Sequence, residues 1–450
     1  MRLFLWPVFF FGLFYGCGNS APESGKSDSA ATAAVKPVVN RGVIQAWNAG
    51  DGSRFQLYIP ATADTSKPLG VVLFLDPHAD GFLPLQKYRA LADSLGMVFA
   101  GSDFSANGVA VGDIEAHLQA VKQAMPQLFR MDAQRYFLCG FSGGARAAAS
   151  LALSQQAGGV VLCSAAPQQA LPQNVAVCGV AGLGDMNYLE MRNWFASSPG
   201  GGLYLFAGEH SWPPAHMLAL AFDAMLLQSK LASTQHASRY LHNASAQIDS
   251  LSRSDCDLAA ALYANARNCL SNFPAQKQQL ETPVRNALAA SPCARQHSTA
   301  RMAAETKEKE LQTEIQQSVF AKDPAWWQAN AAKMFEAPAG SPEQMMRKRV
   351  RGYASLLCYS YSNRALKSNN PNGADKLITT YSIIDPKNCE WAYMRACLDA
   401  RLGMPDLAFE ALTQAVALGF TDINRATAEA DLASLRNDQR WQLFLTSMSK

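Results

Sequence analysis

The chain has 450 residues and carries 39 lysines and arginines against 36 aspartates and glutamates, a formal net charge of +3. That length allows two or three domains with cores of their own. The near-neutral balance, with no basic block, excludes the electrostatic footprint of a nucleic-acid binder, and nucleic acid is not expected as a partner.

Met1-Arg2 is followed by an apolar run from Leu3 to Tyr15, too short to span a bilayer as a mature helix and of the length of a signal-peptide hydrophobic region. The run closes on Phe14-Tyr15-Gly16-Cys17, which resembles a bacterial lipoprotein signal cleaved before Cys17. The resemblance implies acylation of Cys17 and a membrane lipid anchor. The chain would then sit in the cell envelope, on the outer membrane, facing the periplasm or the surface. Phe14 and Tyr15 stand where leucine and a small residue are usual, so a plain secretory signal is the alternative. Residues 1–17 are read as signal peptide. Residues 18–40, rich in Ser, Ala, Pro and Lys without periodicity, are read as a flexible tether. Of ten cysteines, nine remain after Cys17, an odd number, and no pair has the spacing of a zinc site. No metal and no cofactor is expected.

From 41 to 230, short β-like runs alternate with helical ones, the pattern of an α/β domain with a mostly parallel sheet. Strands are predicted at Val43–Trp47, Phe55–Ile59, Val71–Leu75, Val98–Asp103, Tyr136–Phe141, Val160–Cys163, Val175–Val180 and Leu203–Ala207. Helices fit at about 84–95, 111–127, 144–155, 188–196 and 213–230. The fifth run ends in Gly140-Phe141-Ser142-Gly143-Gly144 and passes into an alanine-rich helix. This is the strand, turn, helix context of a nucleophile elbow, with Ser142 raised at the carboxyl end of the sheet; an ordinary glycine-rich turn is the bland alternative. Eight strands with helices starting after the third resemble the α/β-hydrolase fold, whose acid and histidine follow later strands in the order Ser, Asp, His. Asp185, in Gly182-Leu183-Gly184-Asp185, and His210, in Gly208-Glu209-His210, fall at those positions.

Three residues suit the chemistry because a neutral serine needs a base to take its proton and the base needs a carboxylate to fix its tautomer. An oxyanion would need two N–H donors. Gly143 offers one, and the loop Asp76-Pro77-His78-Ala79-Asp80-Gly81 offers His78 or Ala79 as the other. Glu209 reads as a solvated neighbour of the histidine, and Cys139 as a buried small hydrophobe. Gly208-x-His210-x-Trp212-Pro213 resembles the histidine loop of polyhydroxybutyrate-depolymerase-like and feruloyl-esterase-like enzymes, which implies a secreted serine esterase. Only a dozen residues separate the sixth and seventh strands, too few for a cap, so an open cleft suited to polymeric or surface-bound esters is expected.

After 230 helical periodicity takes over. Residues 231–350 read as a helical linker domain, within which 299–320 is a solvated charged helix and Cys256, Cys269 and Cys293 are candidates for a disulfide. Residues 351–450 contain Ala374, Ile378 and Tyr381 recurring 34 residues later as Ala408, Leu412 and Ala415. This resembles the tetratricopeptide repeat, in which small and bulky positions let helix pairs stack. The last 32 residues, Gly419–Lys450, read as a capping helix pair. The expected architecture is thus an α/β-hydrolase domain at 41–230, able to fold alone, followed by an all-α tetratricopeptide-like domain. The expected function is an exported serine hydrolase acting on carboxylic esters; a scaffold binding a protein or peptide through its repeats, with a vestigial hydrolase domain, is the alternative.

Overall fold

The most continuous apolar runs of the chain form the middle of one sheet. The computed structural model describes residues 39–198, 202–338 and 343–448, so Cys17 and nearly all of the tether lie outside the described residues. The strands are β1 (Ile44–Asn48), β2 (Arg54–Tyr58), β3 (Leu69–Leu75), β4 (Val98–Ser102), β5 (Met131–Phe141), β6 (Gly159–Cys163), β7 (Ala176–Gly182) and β8 (Gly202–Phe206). They lie side by side in the order β1-β2-β4-β3-β5-β6-β7-β8. β2 pairs antiparallel with β1 and with β4, and every other neighbouring pair is parallel. This is the eight-stranded sheet of the α/β-hydrolase fold.

Side chains alternate across a strand, so β3 feeds two cores. Val72 and Phe74 face α1 (Phe82–Leu95) and, later in the chain, α5 (Ala215–Gln228). Val71, Leu73 and Leu75 face α2 (Val111–Leu128), α3 (Gly143–Leu151) and α4 (Tyr188–Ser197). All seven residues of β3 are buried, as a parallel strand covered on both faces requires. β5 begins five residues before the predicted Tyr136 because Met131 pairs with Leu69 across a register shift; its polar Asp132, Gln134 and Arg135 hide the strand from an apolar reading.

The described residues after α5 are helical: α6 (Thr234–Leu251), α7 (Cys256–Cys269), α8 (Pro274–Leu280), α9 (Pro283–Asn286), α10 (Pro292–Ala321), α11 (Pro324–Phe335), α12 (Glu343–Lys367), α13 (Pro371–Ile384), α14 (Cys389–Arg401), α15 (Pro405–Ala417), α16 (Ile423–Ala428), a 3₁₀ turn at Ala430–Leu435 and α17 (Gln439–Ser447). Among the described residues no helix is long and apolar enough to cross a membrane.

The packing does not break at residue 230. Tyr240, Ile248, Leu262, Leu270 and Leu280 belong to the same buried cluster as Phe74, Phe99 and Phe222. The Tyr204 hydroxyl on β8 meets that of Tyr240 on α6 at 2.9 Å, and Arg239 pairs with the fully buried Asp223 of α5. On the outer edge of β8, the Asn265 side chain of α7 donates to the Leu203 carbonyl at 3.4 Å. A boundary at 230 is therefore corrected: α6 to α8 complete one face of the sheet. Of the three candidate cysteines, Cys256 and Cys293 form the disulfide, tying α7 to the start of α10. Cys269 is a free thiol buried beside Tyr204.

The charged stretch expected to be solvated is α10, thirty residues long, and it buries Glu308, Ile315 and Val319. A count of charges cannot foresee that Glu308 meets an arginine 41 residues away. Beyond it a separate core gathers α11 to α17. Ala374, Ile378, Tyr381, Ala408, Leu412 and Ala415, the small and bulky positions of the 34-residue spacing, are all buried there. The C-terminal cap is a pair of short helices around a 3₁₀ turn, with Leu432, Leu435 and Trp441 turned inward.

Candidate active site

Ser142 stands between β5 and α3 with φ 51° and ψ −119°, a conformation rarely adopted by a residue with a side chain. Its N–H donates to the Cys163 carbonyl of β6 at 2.8 Å, which pins the turn to the sheet. The glycines around it are steric necessities. A Cβ on Gly144 would meet the Leu75 carbonyl, and one on Gly140 would meet the carbonyl of Gly144. A Cβ on Gly143 would meet only the side chain of Asn107. Gly144→Ala is accordingly expected to lower stability by about 3 kcal/mol, in the range of overpacked sites. Gly143→Ala should melt within a few degrees of wild type, because an exposed side chain can swing away. Thermal unfolding of the two variants checks this, and equal losses would contradict the contact assignment.

The histidine and the acid arrive on two loops stitched together at the ends of β7 and β8. Leu183 N–H donates to the Phe206 carbonyl at 2.8 Å and Gly184 N–H to that of Gly208 at 2.7 Å. Asp185, fully buried, accepts through Oδ1 from the Asn187 backbone N–H at 2.8 Å and from His210 Nδ1 at 2.9 Å. Asn187 is held in turn by its side-chain bond to the Ser164 carbonyl at 2.7 Å. A carboxylate only accepts, so Nδ1 carries the proton in this pairing and Nε2 presents its lone pair. Nε2 lies 3.0 Å from Ser142 Oγ. The structure thus brings Ser142, His210 and Asp185 into one hydrogen-bonded line.

The loop after β3 is built around Asp76, whose side chain is almost fully buried. Burial pushes its carboxyl up, but hydrogen bonds from His78 and from the Trp212 indole, the latter 2.7 Å long, outweigh that and hold it below the usual carboxylate range. The same hydrogen bond and charge raise the imidazole of the exposed His78 above its ordinary value. Through Trp212 this loop is tied to the histidine loop, and Lys87 and Tyr88 add bonds to the Trp212 and Pro213 carbonyls at 2.9 and 2.7 Å. Trp212 and His210 both pack against Phe141, with ring centroids 5.4 and 4.8 Å away.

The three amides expected as oxyanion donors differ in whether they are already bonded. The Gly143 amide, at the first position of α3, has no acceptor among the described residues and sits at the positive end of the helix dipole. The His78 N–H is instead taken by Asp76 Oδ1 at 2.8 Å and the Ala79 N–H by the Asp76 carbonyl at 3.1 Å, with Ala79 at φ 59°. An Asx turn on Asp76 has captured the His78 donor and the backbone turn overlapping it the Ala79 donor. Asn107 lies against Gly143, its backbone N–H bound to the Pro77 carbonyl at 2.7 Å.

The bond between Asp76 and Trp212, both of which the sequence places in the two loops, and the position of Asn107 escape a sequence reading because the partners are remote in the chain. The Asp76–Trp212 bond spans 136 residues. Glu209, expected to be solvated, is exposed but pairs with Lys348 of α12 at 3.0 Å. Met186, beside Asp185, packs on Gly352, and Met345 approaches Gly184. The helical half therefore touches both the acid loop and the histidine loop.

No family model matches the chain, and no curated protein sequence matches it. Among solved structures, one similar chain is a serine-to-alanine mutant of the feruloyl esterase module from Clostridium thermocellum, complexed with sinapinate. It is 10% identical, with a TM-score of 0.34, over 39% of this chain and 84% of that one. Est1E from Butyrivibrio proteoclasticus is 12% identical with a TM-score of 0.33, over 42% of this chain and 99% of that one. The thermostable carboxylesterase EstE1, cloned from a metagenomic library, is 15% identical with a TM-score of 0.32, over 44% and 89%. Likenesses this distant carry no weight for function, and the fold assignment rests on the order and direction of the eight strands.

Proposed function

We propose that the chain is a serine hydrolase that cleaves carboxylic esters. The observation that carries this reading is the line from Ser142 through His210 to the buried Asp185, at 3.0 and 2.9 Å. In it Ser142 Oγ attacks the ester carbonyl while His210 Nε2 takes its proton, Asp185 stabilises the imidazolium, and the Gly143 amide donates to the oxyanion. His210 returns the proton to the departing alkoxide, and water, activated by the same imidazole, releases the acyl group. The reading includes export with a lipid anchor on Cys17, which the Cys256–Cys293 disulfide supports as a mark of an oxidising compartment.

The alternative, binding of a protein partner through the helical repeats, is favoured by the exposed apolar side chains of Leu402, Met404, Leu407 and Leu443 at the C-terminal end. A fluorophosphonate probe separates the two. The hydrolase reading expects stoichiometric labelling of Ser142, located by peptide mass, together with turnover of short-chain aryl esters. A folded protein that neither labels nor turns over any of them would leave only the binding role.

A further inference from the structure

Arg349 of α12 is buried, with 7% of its side chain exposed, and Glu308 of α10 is fully buried against it. Nε of Arg349 lies 3.0 and 2.9 Å from the two carboxylate oxygens of Glu308, and Nη2 also binds that carboxylate. Nη1 points the other way and donates to the backbone carbonyl of Leu183 at 2.7 Å. The guanidinium also lies over the ring of Tyr188, 4.3 Å from its centroid. Leu183 and Tyr188 flank Asp185, and the Tyr188 N–H is bonded to the Asp185 carbonyl at 2.9 Å. The Tyr188 hydroxyl is itself held by Glu305, one turn of α10 before Glu308, at 2.8 Å. One arginine thus grips the acid loop on both sides of the acid.

Packing alone does not hold that loop. On the side facing the helices Leu183 borders a cavity of about 380 Å³, lined also by Ala300, Ala304, Met345 and Met346. The bonds from the Leu183 and Gly184 amides fix the loop on its strand side; on the side facing the helices, with open space beside it, the Leu183 carbonyl is held by the directed bond from Arg349. As a source of stability the buried pair is a poor choice, because desolvation offsets most of its attraction and an apolar pair of the same volume serves as well or better. Burial indeed pushes the Glu308 carboxyl up, against the pull of Arg349. What an apolar pair cannot supply is a donor aimed at the Leu183 carbonyl.

Resting on the hydrolase reading, we infer that Arg349, oriented by Glu308, is a positioning residue for Asp185, and that the helical half is thereby a working part of the site. A carboxylate misplaced by a fraction of an ångström holds the imidazole less well, which costs rate without changing how substrate is bound.

The test compares full-length wild type with Arg349→Met, Arg349→Lys and the double variant Glu308→Leu/Arg349→Met. The measurements are aryl-acetate kinetics across pH, the rate of fluorophosphonate labelling and thermal unfolding. Arg349→Met and the double variant should lose about 10- to 100-fold in kcat with KM within about threefold, and labelling should slow in parallel. The acid limb of their kcat/KM profile should move to lower pH, because a displaced carboxylate stabilises the imidazolium less; a purely structural role would not move it. Arg349→Lys, which keeps a donor for the Leu183 carbonyl, should recover most of the loss. If Arg349→Met alone leaves a buried charge and fails to fold, the charge-free double variant and the lysine variant decide. A double variant that folds, labels at the wild-type rate and keeps the wild-type profile overturns the inference and leaves the hydrolase reading intact. A folded wild type that never labels at Ser142 overturns both.

Discussion

Ser142→Ala is expected to lose about a million-fold in turnover of an activated aryl ester, leaving only what ester binding and the Gly143 amide contribute. The loss is that large because nucleophile and base act as a unit. Without Oγ, His210 Nε2, now 3.0 Å from that hydroxyl, has no proton to take. His210→Ala should therefore cost about as much, and the double substitution no more than either alone. Asp185→Asn is a different lesion. Oδ1 now accepts from both the Asn187 amide and His210 Nδ1, and an amide in its place can present its NH₂ to the imidazole and select the wrong tautomer. A loss of about ten-thousand-fold is expected. Initial rates on purified protein, with melting curves matched to wild type, check all four. Turnover surviving in Ser142→Ala would show that another residue carries the chemistry.

The second large effect concerns where the chain can be cut. A fragment ending at Lys230 would lose Tyr240, Ile248, Leu262, Leu270 and Leu280, each with at most 7% of its surface exposed. At roughly 1.5 to 3 kcal/mol for each large apolar side chain buried, five of them represent about 10 kcal/mol, comparable with the whole stability of an ordinary domain. The fragment is expected to be unfolded or insoluble. A fragment ending at Ser291 keeps the two clusters around the sheet, which run to Leu288, while losing Arg349 and Lys348. It should be soluble, label at Ser142 and turn over slowly, like the Arg349 variants. Circular dichroism and labelling of both fragments make the comparison, and a folded, fully active fragment ending at Lys230 would refute this division of the core.

Much of this was legible in the residues themselves. Apolar runs such as Val71–Leu75 are long enough, and flanked by turn residues clearly enough, to be placed as strands within a residue or two. The glycines around Ser142 announce a turn in which backbone must touch backbone, and Asp185 and His210 stand where strands of that fold deliver their side chains. What could not be read depends on meetings between distant segments. The capture of the His78 N–H by Asp76 follows from an Asx turn that competes with the open loop, and the Arg349 bond to Leu183 spans 166 residues. The misplaced boundary is a different case, because its signal was present. In α5 ten of fourteen residues are buried, and a helix apolar around most of its circumference must be covered on both sides. The sheet covers one side; α6 and α7 had to supply the other.

β8 closes the sheet, with β7 on one side and, among the described residues, no ninth strand on the other. Its Leu203 carbonyl is bonded instead to the side chain of Asn265 of α7. An open edge of this kind is a template on which any extended chain can pair, and natural sheets blunt such edges by shortening, charging or covering them. Gly-Leu-Tyr-Leu-Phe at residues 202–206 is short but carries no charge, so covering is the device used here. α7 is therefore expected to double as a guard against self-association: in chains cut before it, neighbouring molecules would be free to pair strand to strand along β8. Material lost from such preparations should accordingly be β-rich and ordered rather than amorphous.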